Sequence, residues 1–118
     1  MAYLGDAIYE QAVRERIVLE TDGVADSLFR RSLRYVTADA QAKAMDGISA
    51  ELSEEEQLLC RRARNHTPHS RPRNQDPLDY RKATALEALC AWLYLQGKTE
   101  RLQEVLQRCF AILEAEGE

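Results

Sequence analysis

Two carboxylates stand where their neighbours argue against them. The first, Asp6, lies inside Tyr3-Leu4-Gly5-Asp6-Ala7-Ile8-Tyr9-Glu10, an otherwise apolar, helix-like run. Leu4 and Ile8 are four apart, and Tyr9, Val13 and Ile17 continue that spacing, so a helix here buries most of one side and draws Asp6 toward its edge. Gly5 sharpens the anomaly. A glycine within a helix gives up about 1 kcal/mol relative to alanine, so its place beside the acid predicts a close approach to the backbone. On these residues alone, an Asp at a helix rim with its head in water serves equally well.

The second is Glu87. In Thr84-Ala85-Leu86-Glu87-Ala88-Leu89-Cys90-Ala91-Trp92-Leu93-Tyr94-Leu95 it is the only ionisable carboxylate, on a helix apolar on nearly every side, the pattern of a central helix. A lone ionised carboxylate in that setting costs several kcal/mol unless a cation or a shifted pKa neutralises it. Two helices with one out-of-place acid each invite a shared cause, and a divalent cation held between Asp6 and Glu87 is the simplest. Hard carboxylate oxygens suit Mg²⁺, with Mn²⁺ as a substitute, and Mg²⁺ also accepts phosphate oxygens.

A basic segment supplies the complementary half. From Arg61 to Lys82 seven basic residues (Arg61, Arg62, Arg64, Arg71, Arg73, Arg81 and Lys82) face two acids, so the segment carries +5 and the remainder −9 of a chain with net charge −4. That net charge argues against an indiscriminate polyelectrolyte binder, whereas the local cluster can neutralise several phosphates. Asn65, Asn74, His66 and His69 could reach 2′-hydroxyls or base edges. Between Asn65 and Asp76 the helical pattern stops in a Pro-, Ser- and Asn-containing loop of a length that is uncommon in a compact domain and often functional. A solvated basic loop with no ligand is the plain alternative.

These residues resemble a known family. Tyr3-Leu4-Gly5-Asp6-Ala7 is similar to the signature helix of ribonuclease III, and Thr84-Ala85-Leu86-Glu87-Ala88-Leu89 to the helix bearing its second catalytic acid. The likeness is greatest to the Mini-III group, which has the catalytic domain and no double-stranded-RNA-binding domain. It extends from Ala2 to about Phe110 and includes Arg34-Tyr35-Val36, Ala40-Gln41-Ala42-Lys43, Arg61-Arg62-Ala63-Arg64-Asn65 and Asp79-Tyr80-Arg81.

The resemblance implies a Mg²⁺-dependent endoribonuclease that cuts double-stranded RNA to 5′-phosphate and 3′-hydroxyl ends, with 23S ribosomal RNA precursor as substrate. Asp6 and Glu87 would be both catalytic residues and metal ligands, supporting hydrolysis in which water attacks phosphorus in line. Arg61, Arg62, Arg64, Asn65, Arg71, Arg73, Asn74, Arg81 and Lys82 would bind the RNA. It also implies a homodimer, with Tyr3 at the interface, and a ribosomal protein as a further candidate partner. A core tyrosine is the alternative for Tyr3. The likeness has gaps. Ribonuclease III places four carboxylates around its metals, but Ala2 stands four before Asp6 and Thr84 three before Glu87. Glu10, one turn beyond Asp6, reads as a surface residue. The chain begins directly at the motif, so a short or trimmed N-terminus is expected.

Helices must position all of this, and the sequence reads as all-α, a ribonuclease III-like helical bundle forming one domain over residues 1–118. Thr21-Asp22-Gly23 predicts a turn, and Leu28, Phe29, Ser32, Leu33 and Val36 the buried stripe of a helix with Arg30, Arg31 and Arg34 on its other side. Thr37 predicts an N-cap, Ser53 with Glu56 a capping box, and Leu58, Leu59 and Ala63 the stripe that follows. Asp76-Pro77 restarts a helix, Gly97 closes it, and Leu102, Val105, Leu106, Cys109 and Leu113 mark the inner face of the last. Cys60, Cys90 and Cys109 read as core packing. No apolar run approaches the roughly 20 residues of a membrane span, and a cytoplasmic protein is expected.

Two other classes compete. A non-catalytic helical RNA-binding module would use the arginines alone and leave Asp6 and Glu87 structural. A carboxylate-bridged di-iron bundle is poor, because no Glu-x-x-His pair occurs.

Overall fold

The computed structural model describes residues 1–20, 25–66 and 76–116. Its central element follows from composition: the helix Pro77–Leu95 has no continuous polar stripe, so it must be surrounded. In chain order the helices are α1 (Ala2–Glu20), α2 (Ala25–Val36), α3 (Ala38–Ile48), α4 (Glu54–Asn65), α5 (Pro77–Leu95) and α6 (Thr99–Glu116), with a 3₁₀ turn at Ser49–Glu51. Helices α1, α3, α4 and α6 pack around α5, and α2 lies against α1, α3 and α6. The fold is all-α, with no strand among the described residues. The turn expected at residues 21–23 lies outside them.

Local chemistry sets the helix ends. Thr37 accepts the Ala40 N–H at the start of α3, Ser53 and Glu56 form a reciprocal capping box on α4, and Asp76 caps α5 with Pro77 in its first turn. Gly97, with φ +74°, ends α5 in the left-handed conformation that a side chain resists.

The core joins the inner faces. All five apolar positions expected for α6 are buried, and Phe110 joins them, packed against the rings of Tyr9 and Tyr35. The Tyr9 hydroxyl donates to the Tyr35 carbonyl at 2.8 Å. All three cysteines are free and buried, as core packing requires.

Two stripes differ from expectation. On α2, Phe29 and Leu33 are 65% and 41% exposed, while Tyr35 is buried. The hydroxyl of Tyr35 donates to Glu114, and its ring meets Phe110 edge-on, so α6 pins α2 by a polar contact that apolar spacing does not encode. Arg34 belongs to that junction as well, donating to the Glu114 carbonyl at 2.6 Å near the end of α6. On α4, Leu58 is exposed and Cys60 is buried together with Glu56. Glu56 tolerates burial because Arg101 reaches both its oxygens, at 2.8 and 2.9 Å, holding its carboxyl down at about 2. No helix among the described residues is long and apolar enough to cross a membrane.

Candidate active site

The site begins where α1 touches α5. A Cβ placed on Gly5 would lie 1.7 Å from the Glu87 carbonyl oxygen and 2.8 Å from its Cα, so the two backbones meet at a separation only glycine allows. This is the close approach expected of Gly5. It brings the next residue, Asp6, beside Glu87, where its carboxyl acts on that of Glu87 by hydrogen bond and charge. Asp6 is exposed and Glu87 is half-buried, so the pair opens to solvent on the Asp6 side.

Helix α3 completes the surroundings. Gln41, only 4% exposed, sits one turn after the Thr37 cap and directs its Nε2 to Oε2 of Glu87 at 3.5 Å. Burial first, then the hydrogen bond and charge of Asp6, push the Glu87 carboxyl up to about 8, with Gln41 acting in the opposite direction. Without a cation, Glu87 is therefore shifted toward its protonated form. Two carboxylates forced together around a partly dry space fit a small divalent cation by charge and by donor type.

The acids do not extend further. Among the described residues no three of Asp, Glu, His or Cys gather at one point. Glu10 is paired with Arg14 on the surface, as expected of a surface residue. Thr84 turns its hydroxyl to the Tyr80 carbonyl.

The basic residues form a separate surface. Arg61, Arg62, Arg64 and Asn65 are exposed on the last turns of α4, and Arg81 is exposed on α5. Lys82 is paired with Asp46 at 2.9 Å. Arg61, Arg64 and Lys82 line one recess of about 380 Å³ with Ser49 and Gln57. Arg71, Arg73, Asn74 and His69 lie outside the described residues.

Known proteins resemble this chain in sequence and fold. The chain matches the family described as "Ribonuclease III domain" over residues 1–98. The chain belongs to the ribonuclease III domain family. It is 45% identical to Mini-ribonuclease 3 of Symbiobacterium thermophilum over 97% of this chain and 88% of that protein. Identity to Mini-ribonuclease 3 of Brevibacillus brevis is 42%, over 98% and 87%. The fold is also similar to a crystal structure of a Fusobacterium nucleatum protein, at 30% identity and a TM-score of 0.83, covering 98% of this chain and 89% of that one. The protein is thus an endoribonuclease of the ribonuclease III type.

In this ribonuclease III-type chain Tyr3 is 97% exposed on α1, which removes the core-tyrosine alternative. Gln41 is the site residue that reading the sequence misses. The available signal is a polar residue among Ala40, Ala42 and Ala44, in the buried phase of a short helix.

Proposed function

We propose that the protein is an endonuclease for double-stranded RNA, leaving 5′-phosphate and 3′-hydroxyl ends, with Asp6 and Glu87 holding Mg²⁺ or, as a substitute, Mn²⁺. The observation that carries the reading is the contact of Gly5 with the Glu87 backbone, which puts two carboxylates side by side. The bound cation would supply Lewis-acid stabilisation of charge on the phosphate and leaving oxygen. Asp6, on the open side, meets the substrate face, while Glu87 anchors the site from within the fold. Arg61, Arg62, Arg64, Asn65, Arg81 and Lys82 bind the RNA backbone, joined by Arg71, Arg73 and Asn74. Exposed Tyr3 serves a homodimer, whose two sites suit the two strands of a duplex. The family resemblance supports a 23S ribosomal RNA precursor as substrate, a cytoplasmic location, and residues 1–118 acting as one catalytic domain.

The test is cleavage of a duplex RNA with Mg²⁺ by the parent, Asp6→Asn and Glu87→Gln. The parent cuts, and each variant is slower by roughly 100-fold or more, the loss of about 3 kcal/mol of transition-state stabilisation. Equal cleavage by all three overturns the assignment. RNA binding with no cleavage by the parent favours a non-catalytic module.

A further inference from the structure

Gln41 carries a buried amide that packing does not explain. The residue is 4% exposed, its Nε2 faces Oε2 of Glu87 at 3.5 Å, and no described residue partners its Oε1. Burying an amide costs about 1–3 kcal/mol when its hydrogen bonds are incomplete, and a methionine would fill the same length at lower cost. The residue type is informative at this place. A lysine or arginine would neutralise Glu87 and compete with a cation, and a third carboxylate would repel it. A carboxamide orients the acid without changing the charge.

We propose that Gln41 is a positioning residue, whose amide N–H fixes the rotation of the Glu87 carboxylate so that, with Asp6, it receives the divalent cation. Holding one oxygen of Glu87 leaves the other free to ligate, and a ligand fixed in advance loses less freedom on binding. The inference rests on the reading of Asp6 and Glu87 as the metal site. It assigns the third contact of that site to α3, so three helices rather than two define it.

The experiment compares the parent with Gln41→Met, which keeps the length and removes the donor. Mn²⁺ affinity is read from the free-Mn²⁺ resonance, together with kcat and KM on duplex RNA and the thermal midpoint in metal-free buffer. The expected result is Mn²⁺ affinity weaker by roughly tenfold and a lower kcat, with KM for RNA within about twofold. The metal-free midpoint should be equal or higher. A second measurement needs no variant: the Gln41 side-chain ¹⁵N–¹H pair in the parent should exchange slowly with solvent and shift when Mg²⁺ is added. Unchanged Mn²⁺ affinity and kcat in Gln41→Met, or an amide pair insensitive to Mg²⁺, overturn the role of Gln41 alone. A parent that neither binds Mn²⁺ nor cuts duplex RNA brings down the nuclease reading with it.

Discussion

Glu87 converts its surroundings into a dependence of stability on pH. Its carboxyl is raised from an ordinary 4.5 to about 8, by burial first and by Asp6 second. Between those values the folded state keeps a proton that the unfolded chain has lost, so stability falls as pH rises through that window and the loss is complete above it. The expected contribution, discounted for the open side of the site, is on the order of 3 kcal/mol. In metal-free urea unfolding, the parent should therefore weaken between pH 5 and pH 8 relative to Glu87→Gln, and Mg²⁺ should restore the parent at pH 8. Identical pH profiles for parent and variant would contradict the burial and pairing assigned to Glu87.

The crossing of α1 and α5 depends on a missing side chain. With only 1.7 Å between a Cβ at Gly5 and the Glu87 carbonyl oxygen, Gly5→Ala forces the helices apart, since the obstacle is backbone and cannot rotate away. Destabilisation of roughly 3 kcal/mol or more is expected in urea unfolding, together with loss of Mg²⁺-dependent cleavage. A variant as stable and active as the parent would mean that the helices do not meet there. This contact is legible in the sequence because a glycine inside an apolar helix weakens it unless a second backbone occupies the space its side chain leaves. The caps at Thr37, Ser53 and Asp76 are legible for a related reason: donor and acceptor lie within three residues of one another. What stays hidden depends on distant partners. Tyr35 is buried through Glu114, Glu56 through Arg101, and Gln41 faces Glu87, pairs 79, 45 and 46 residues apart that no local period reveals.

Charge is sorted across the molecule more clearly than its net value suggests. A chain of net −4 gathers exposed arginines on the end of α4 and the start of α5, while the two acids proposed for the site lie at the α1–α5 crossing. If Arg61 and Arg64 each neutralise a phosphate, Arg61→Ala and Arg64→Ala should each reduce the slope of log affinity against log salt by about one. Unchanged slopes would place the RNA elsewhere. On α1 and α2, Tyr3, Val18 and Phe29 are all more than half exposed, apolar area that the proposed homodimer would cover.

The most direct test is anomalous diffraction from a crystal soaked in Mn²⁺. A single strong peak is expected between the carboxylates of Asp6 and Glu87, about 2.1 Å from an oxygen of each. No peak there, or Mn²⁺ bound elsewhere with the two carboxylates apart, would contradict a metal site shared by these two acids.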